Sequence, residues 1–146
     1  MNPSLHIRPP AVAGMFYPAE ADELARDIQS YLAAVPAVQA PAPKVLIVPH
    51  AGYVYSGAVA ARAYALLAPA RSAIRRVVLL GPAHRVPIRG LALPVAEAFA
   101  TPLGGVPIDA EDARAALALP QVSASDVAHN LEHSLEVQLP FLQTVL

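Results

Sequence analysis

One pattern occurs twice in this chain: a short apolar run, a chain breaker, then a histidine. The first copy is Val45-Leu46-Ile47-Val48, followed by Pro49 and His50. The second is Val77-Val78-Leu79-Leu80, followed by Gly81-Pro82-Ala83 and His84. Four β-prone apolar residues bounded by a breaker predict a buried strand, over about 44–48 and again over about 76–80. Burial on both faces suits a parallel sheet. Between the runs lie a glycine-bracketed aromatic loop (Gly52, Tyr53, Tyr55, Gly57) and an alanine-rich helical pattern that runs to about Leu67 and stops at Pro69. Ser56 is a candidate cap for that helix. Strand, helix and strand make a βαβ unit with a right-handed crossover. Both strands then point the same way and carry His50 and His84 to one edge of the sheet. Ligands bind at the carboxyl ends of strands in open α/β sheets. Two imidazoles there are a metal site, an acid/base pair or a coincidence.

The flanking segments fit one α/β domain. Residues 1–18 predict an irregular arm whose aromatics pack on the body. Leu24, Ile28, Tyr31, Leu32 and Val35 fall on one face of a helix over Glu20 to Ala34, with Glu20, Asp22 and Glu23 at its amino end. Val35 to Pro43 predicts a stiff extended linker. Leu91–Leu93 and Ala98–Thr101 predict short strands. Thr101 to Gly105 is turn chemistry. Asp109 is placed to cap a helix over about 110–118 that Pro120 ends. Gln121 to Asp126 predicts loop or a short edge strand. A last helix is expected from His129 or Asn130, kinked or ended at Pro140.

Composition narrows the function classes. Only 14% of the 146 residues are charged and the net charge is −1, so no bulk attraction to nucleic acid or to a membrane surface is expected. No cysteine is present, which excludes disulfides, thiolate metal sites and cysteine nucleophiles within this chain. No apolar run approaches the roughly 20 residues of a membrane span. The first twenty residues have no continuous apolar core, which speaks against a secretory signal. A cytoplasmic location is the expectation.

A third histidine-bearing cluster lies near the end: His129, Asn130, Glu132, His133, Ser134 and Glu136. On a helix, either His129 with His133 or His133 with Glu136 shares a face. The glutamate that follows the first histidine in zinc-protease helices is absent, since Asn130 stands there. Arg85 and Arg89 flank the loop after His84 and are either solvated charges or attractors of an anionic substrate group.

Five segments make the cluster specific: RPPAVAGMFYP, VPHAGYVYSGAVAARAY, LLGPAH, TPLGGVPID and EHSLEVQLPFLQ. In their order and spacing the chain resembles the amino-terminal half of the Memo family, also called AmmeMemoRadiSam system protein B. That family is similar to class III extradiol dioxygenases. The resemblance implies an α/β fold with a parallel or mixed central sheet and flanking helices, truncated in this chain, with residues 1–146 forming the amino-terminal part of one domain. It implies non-haem iron chemistry, with copper or zinc as alternatives, and names His50 and His84 as two metal ligands. His133 becomes a candidate acid/base or substrate contact, and Tyr53, Tyr55 and Arg85 candidate substrate contacts. Memo-type proteins supply a cysteine, an aspartate and a further histidine from their carboxyl-terminal half. Those positions lie beyond this chain, so the implied site is incomplete. Glu132, Glu136 or a partner group would have to finish the metal shell.

Three expectations follow. One is a metal-dependent oxidoreductase. Another is a ligand- or peptide-binding adaptor that uses the same pocket without turnover. The third is a half-domain that self-associates or joins a missing carboxyl-terminal half, because so small a sheet leaves an open edge.

Overall fold

The computed structural model describes residues 5–37 and 41–146. The first part of the expected arm and the middle of the expected linker lie outside the described residues. The fold is mixed α/β, with small sheets and flanking helices. Helix α1 (Ala21–Ala33) buries Leu24 and Ile28, as its apolar spacing predicts. It packs on α2 (Tyr53–Tyr64), which buries Tyr53, Ala60, Ala61 and Tyr64. A 3-10 segment (Ala65–Ala70) carries the chain past Pro69. The terminal helix α4 (Leu139–Val145) closes this core with Phe141, whose ring stacks on Tyr64 at 5.3 Å and tilts against Tyr53 at 5.1 Å. Burying such aromatics dominates core energetics.

The strands form two separate ladders. In the first, β1 (Ile7–Arg8) lies parallel to β3 (Ala98–Thr101), which runs antiparallel to β4 (Gly104–Pro107). In the second, β2 (Leu91–Leu93) pairs in parallel with β5 (Val122–Ala124). The expected strands at 91–93 and 98–101 are present, and Val122–Ala124 forms a short strand within the stretch 121–126 expected as loop or short edge strand. Helix α3 (Ala110–Leu117) starts at Asp109, whose carboxylate accepts from the Glu111 and Asp112 amides, as predicted. Among the described residues no helix is long and apolar enough to cross a membrane.

Four expectations need correction. The apolar runs at 44–48 and 76–80 form no regular element and join no ladder among the described residues. Leu46 and Val48 pack on the core, while Val45 and Ile47, which alternate with them, are 76% and 96% exposed. The first run is therefore a one-faced segment, not a strand buried on both sides. The apolar run reported strand propensity, but a ladder also needs a neighbour. Ser56 does not cap α2. Gly52 holds that position, and the Ser56 hydroxyl, a turn inside, donates to the Ala51 carbonyl. The arm is less irregular than expected, because Ile7 and Arg8 enter a sheet. Finally, no helix begins at His129. Residues 126–138 are turns and short 3-10 segments, so His129 and His133 do not share a helix face. Pro140 sits in the first turn of α4 and starts that helix instead of kinking it.

Candidate metal centre

The segment 129–138 organises the site because both histidine loops are tied to it. The Gln138 amide donates to the Pro49 carbonyl at 3.1 Å, fixing the residue before His50. The Ser134 hydroxyl donates to the Pro82 carbonyl at 2.8 Å, fixing the turn before His84. Gly81 lies so close to Ser134 that an added Cβ would stand 2.7 Å from its hydroxyl oxygen. The arm completes the frame, with the Tyr53 amide donating to the Phe16 carbonyl at 2.7 Å.

The segment itself is pinned from below by a buried ion pair. Arg8 and Glu136 are both almost fully buried and bonded to each other. Arg8 also donates to the carbonyls of His129 and Glu132. Glu136 accepts from the Ala11 and Val12 amides and from the Tyr17 hydroxyl. Burial, together with that bond to Glu136, pushes the Tyr17 phenol well above its ordinary pKa. A buried pair needs such saturation to be tolerated.

Three imidazoles meet above this frame. His50 and His84 have ring centroids 5.2 Å apart with planes inclined by 46°. His133 stands 6.0 Å from His50 and lies nearly parallel to His84, at 4.7 Å and 12°. Phe16 tilts against its other side at 4.6 Å. The His133 Nδ1 is buried without a hydrogen-bond partner. Burial lowers the His133 pKa, opposed by the Glu132 charge and helped by His84, His50 and Arg85, which favours the neutral ring.

Glu132 sits under the histidines. Its Oε1 accepts from His84 Nδ1 at 2.8 Å, from the His133 amide at 2.8 Å and from the Ser134 amide at 2.9 Å, while Oε2 accepts from the His84 amide. Burial alone would raise this carboxyl. The bonds from His84, Ser134 and His133 outweigh it and hold the pKa down to about 2. His84, Glu132 and His133 offer ligand atoms within 4.8 Å of one another, a group that could hold a metal ion.

The donor set fits a divalent transition ion, with neutral imidazole suiting iron, copper and zinc. Two imidazoles bound at about 2.1 Å on a common ion have centroids about 5 Å apart, which matches His50 and His84. The near-parallel rings of His84 and His133 fit worse, since their in-plane lone pairs do not converge.

The sequence-derived residues sort clearly. His50, His84 and His133 come together. Tyr55 is 86% exposed on the rim of a hollow of about 580 Å³, shared with Met15, Phe16, His50 and His133. Arg85 is exposed, near enough for its charge to act on His133. Tyr53 backs the site from the core, with its ring buried and its hydroxyl donated to the Val137 carbonyl at 2.8 Å. Glu136 is committed to Arg8 and has no free edge for an ion. Sequence reasoning missed Arg8, whose role shows only once its partner 128 residues away is known.

The sequence model of a family described as Memo-like protein matches residues 8–146. A MEMO1 family protein of Aquifex aeolicus is 41% identical over 143 residues, covering 95% of this chain and 50% of the relative. One from Ignicoccus hospitalis is 44% identical over 147 residues, covering 94% of this chain and 51% of the relative. The chain thus spans about half the length of these curated relatives.

Proposed function

Because the chain belongs to the Memo-like family, we propose that it carries half of a metal centre for oxidoreductase chemistry, with His50 and His84 as its two ligands. The 5.2 Å separation and open inclination of those rings carry the proposal. Iron is the first choice of ion, with copper or zinc as alternatives. A ferrous ion with open positions supplies the oxygen chemistry that class III extradiol dioxygenases perform. His133, neutral and partly enclosed, takes up or returns a substrate proton. Tyr55 contacts the substrate from the rim, and Arg85 draws an anionic group toward the hollow.

The remaining ligand comes from outside the chain. Val45 and Ile47, with Val78 and Leu80 at 83% and 75% exposure, line two segments that join no ladder among the described residues. Each such side chain forgoes roughly 1.5–3 kcal/mol of burial. The occupant we propose is a polypeptide equivalent to the other half of the relatives' length, adding strands to these segments and completing one class III extradiol dioxygenase-like domain of which residues 1–146 are the amino-terminal part. The cytoplasm is the proposed location.

Anaerobic equilibrium dialysis against ferrous iron tests the proposal. Near-stoichiometric iron in the presence of the complementary half supports it, and no retained iron contradicts it. A non-catalytic binding role is the competing proposal, favoured by the exposed Met15 and Tyr55 beside Phe16. Saturable binding of a small molecule or peptide by protein that holds no metal would select it.

A further inference from the structure

The Glu132 carboxylate is fully engaged by N–H donors. Three converge on Oε1 and one on Oε2. Two come from one residue: the backbone amide and the ring Nδ1 of His84. A carboxylate that accepts from three backbone amides acts toward the ring as an acceptor, so in a neutral His84 ring the proton must sit on Nδ1. Nε2 is then the nitrogen left with a free lone pair. The same oxygen cannot serve an ion well, because its lone pairs already face three donors. Glu132 is thus a poor ligand and a good support.

We infer that Glu132 is the positioning residue of this centre: it locks His84 as the Nδ1–H tautomer and ties the ring to its loop, so that only Nε2 is offered to an ion. Carboxylate-supported histidines of this kind gain basicity and a fixed orientation. Glu132 also holds the His133 amide, so one side chain sets the spacing of two of the three imidazoles. A glutamine cannot replace it. Its amide offers one acceptor oxygen and one donor group to four N–H groups, leaving at least one donor facing a donor.

His129 supplies an internal reference. Its Nε2 lies 3.0 Å from the Ala92 carbonyl, which only accepts, so the neutral ring is the opposite, Nε2–H, tautomer. The consequence for an ion rests on the proposed His50–His84 centre, but the tautomer is measurable without metal. Two-bond nitrogen–proton correlation spectra of metal-free protein at pH 8 should show His84 as Nδ1–H and His129 as Nε2–H. In Glu132→Ala, which removes the acceptor altogether, His84 should shift to mixed or Nε2–H signals while His129 stays unchanged, which also shows that the fold is intact. Zinc, used as the probe ion, should bind about 10- to 100-fold more weakly to the variant. His84 found as Nε2–H or as imidazolium in the unaltered protein overturns the inference whether or not the variant folds. An unchanged His84 tautomer in a folded Glu132→Ala also overturns it. If the tautomers behave as stated but zinc binds neither protein, the positioning role stands and the metal-centre proposal falls.

Discussion

Glu132 grips His84 twice across 48 residues of chain, taking its ring Nδ1 on one carboxylate oxygen at 2.8 Å and its backbone amide on the other. That clamp joins the loop after the apolar run 77–80 to the turn-rich stretch before α4. The first predictions follow from what holds this clamp in place.

Removing one member of the buried pair beneath it should be costly. Arg8→Met leaves Glu136 charged and buried, and it frees the carbonyls of His129 and Glu132. A loss of about 3–5 kcal/mol in urea unfolding is expected. The double change Arg8→Met with Glu136→Leu should recover part of that loss.

The clamp gives a signed dependence on pH. The folded Glu132 carboxyl is depressed from 4.5 to about 2. Its contribution is therefore intact above about pH 4.5 and is lost as pH falls from there toward 2, by roughly 3 kcal/mol in total. His129, lowered mainly by burial, acts earlier. Below about pH 6.5 the unfolded chain takes up its proton more readily than the folded chain does. Urea midpoints measured from pH 8 to pH 2 should fall in those two ranges, and Glu132→Gln should remove the lower one.

Gly81→Ala should loosen the site from its other side. The new methyl would meet the Ser134 hydroxyl oxygen at 2.7 Å and a Leu135 methyl at 3.0 Å, pushing the His84 turn off the segment that carries Glu132. A stability loss of about 1–3 kcal/mol is expected, visible as a lower melting temperature and as a disturbed His84 amide signal.

The unpaired segments predict an exchange pattern. Amides of residues 45–48 and 77–80 should exchange rapidly in the isolated chain, since no ladder protects them. Mixing with a separately produced carboxyl-terminal half of the Aquifex aeolicus relative should give a one-to-one complex in light scattering, with both stretches protected. Protection that appears with concentration of this chain alone would instead identify a second copy as the occupant.

The sequence made some of this legible and hid the rest for physical reasons. Helix α1 and the Asp109 cap depend on local periodicity and local hydrogen bonds, and both were readable. The meeting of His50 and His84 followed from matched breaker positions, although the parallel ladder invoked to bring them together does not form among the described residues. Ties from Gln138 and Ser134 do that work, and such long-range bonds leave no local pattern. Leu131, Leu135, Leu139 and Leu142 stand at helical spacing, yet no helix begins at His129, because the side chains of His129, Ser134 and Gln138 bond to the distant backbone of Ala92, Pro82 and Pro49. Arg8 looked like an ordinary arm charge, since nothing near it in sequence announces Glu136.

The central claim is tested most directly by metal content. Anaerobically prepared protein, joined to its complementary half, should hold close to one transition-metal ion per chain by elemental analysis. The same preparation carrying His50→Ala and His84→Ala should hold essentially none. Equal metal in both preparations would contradict the assignment of these two histidines.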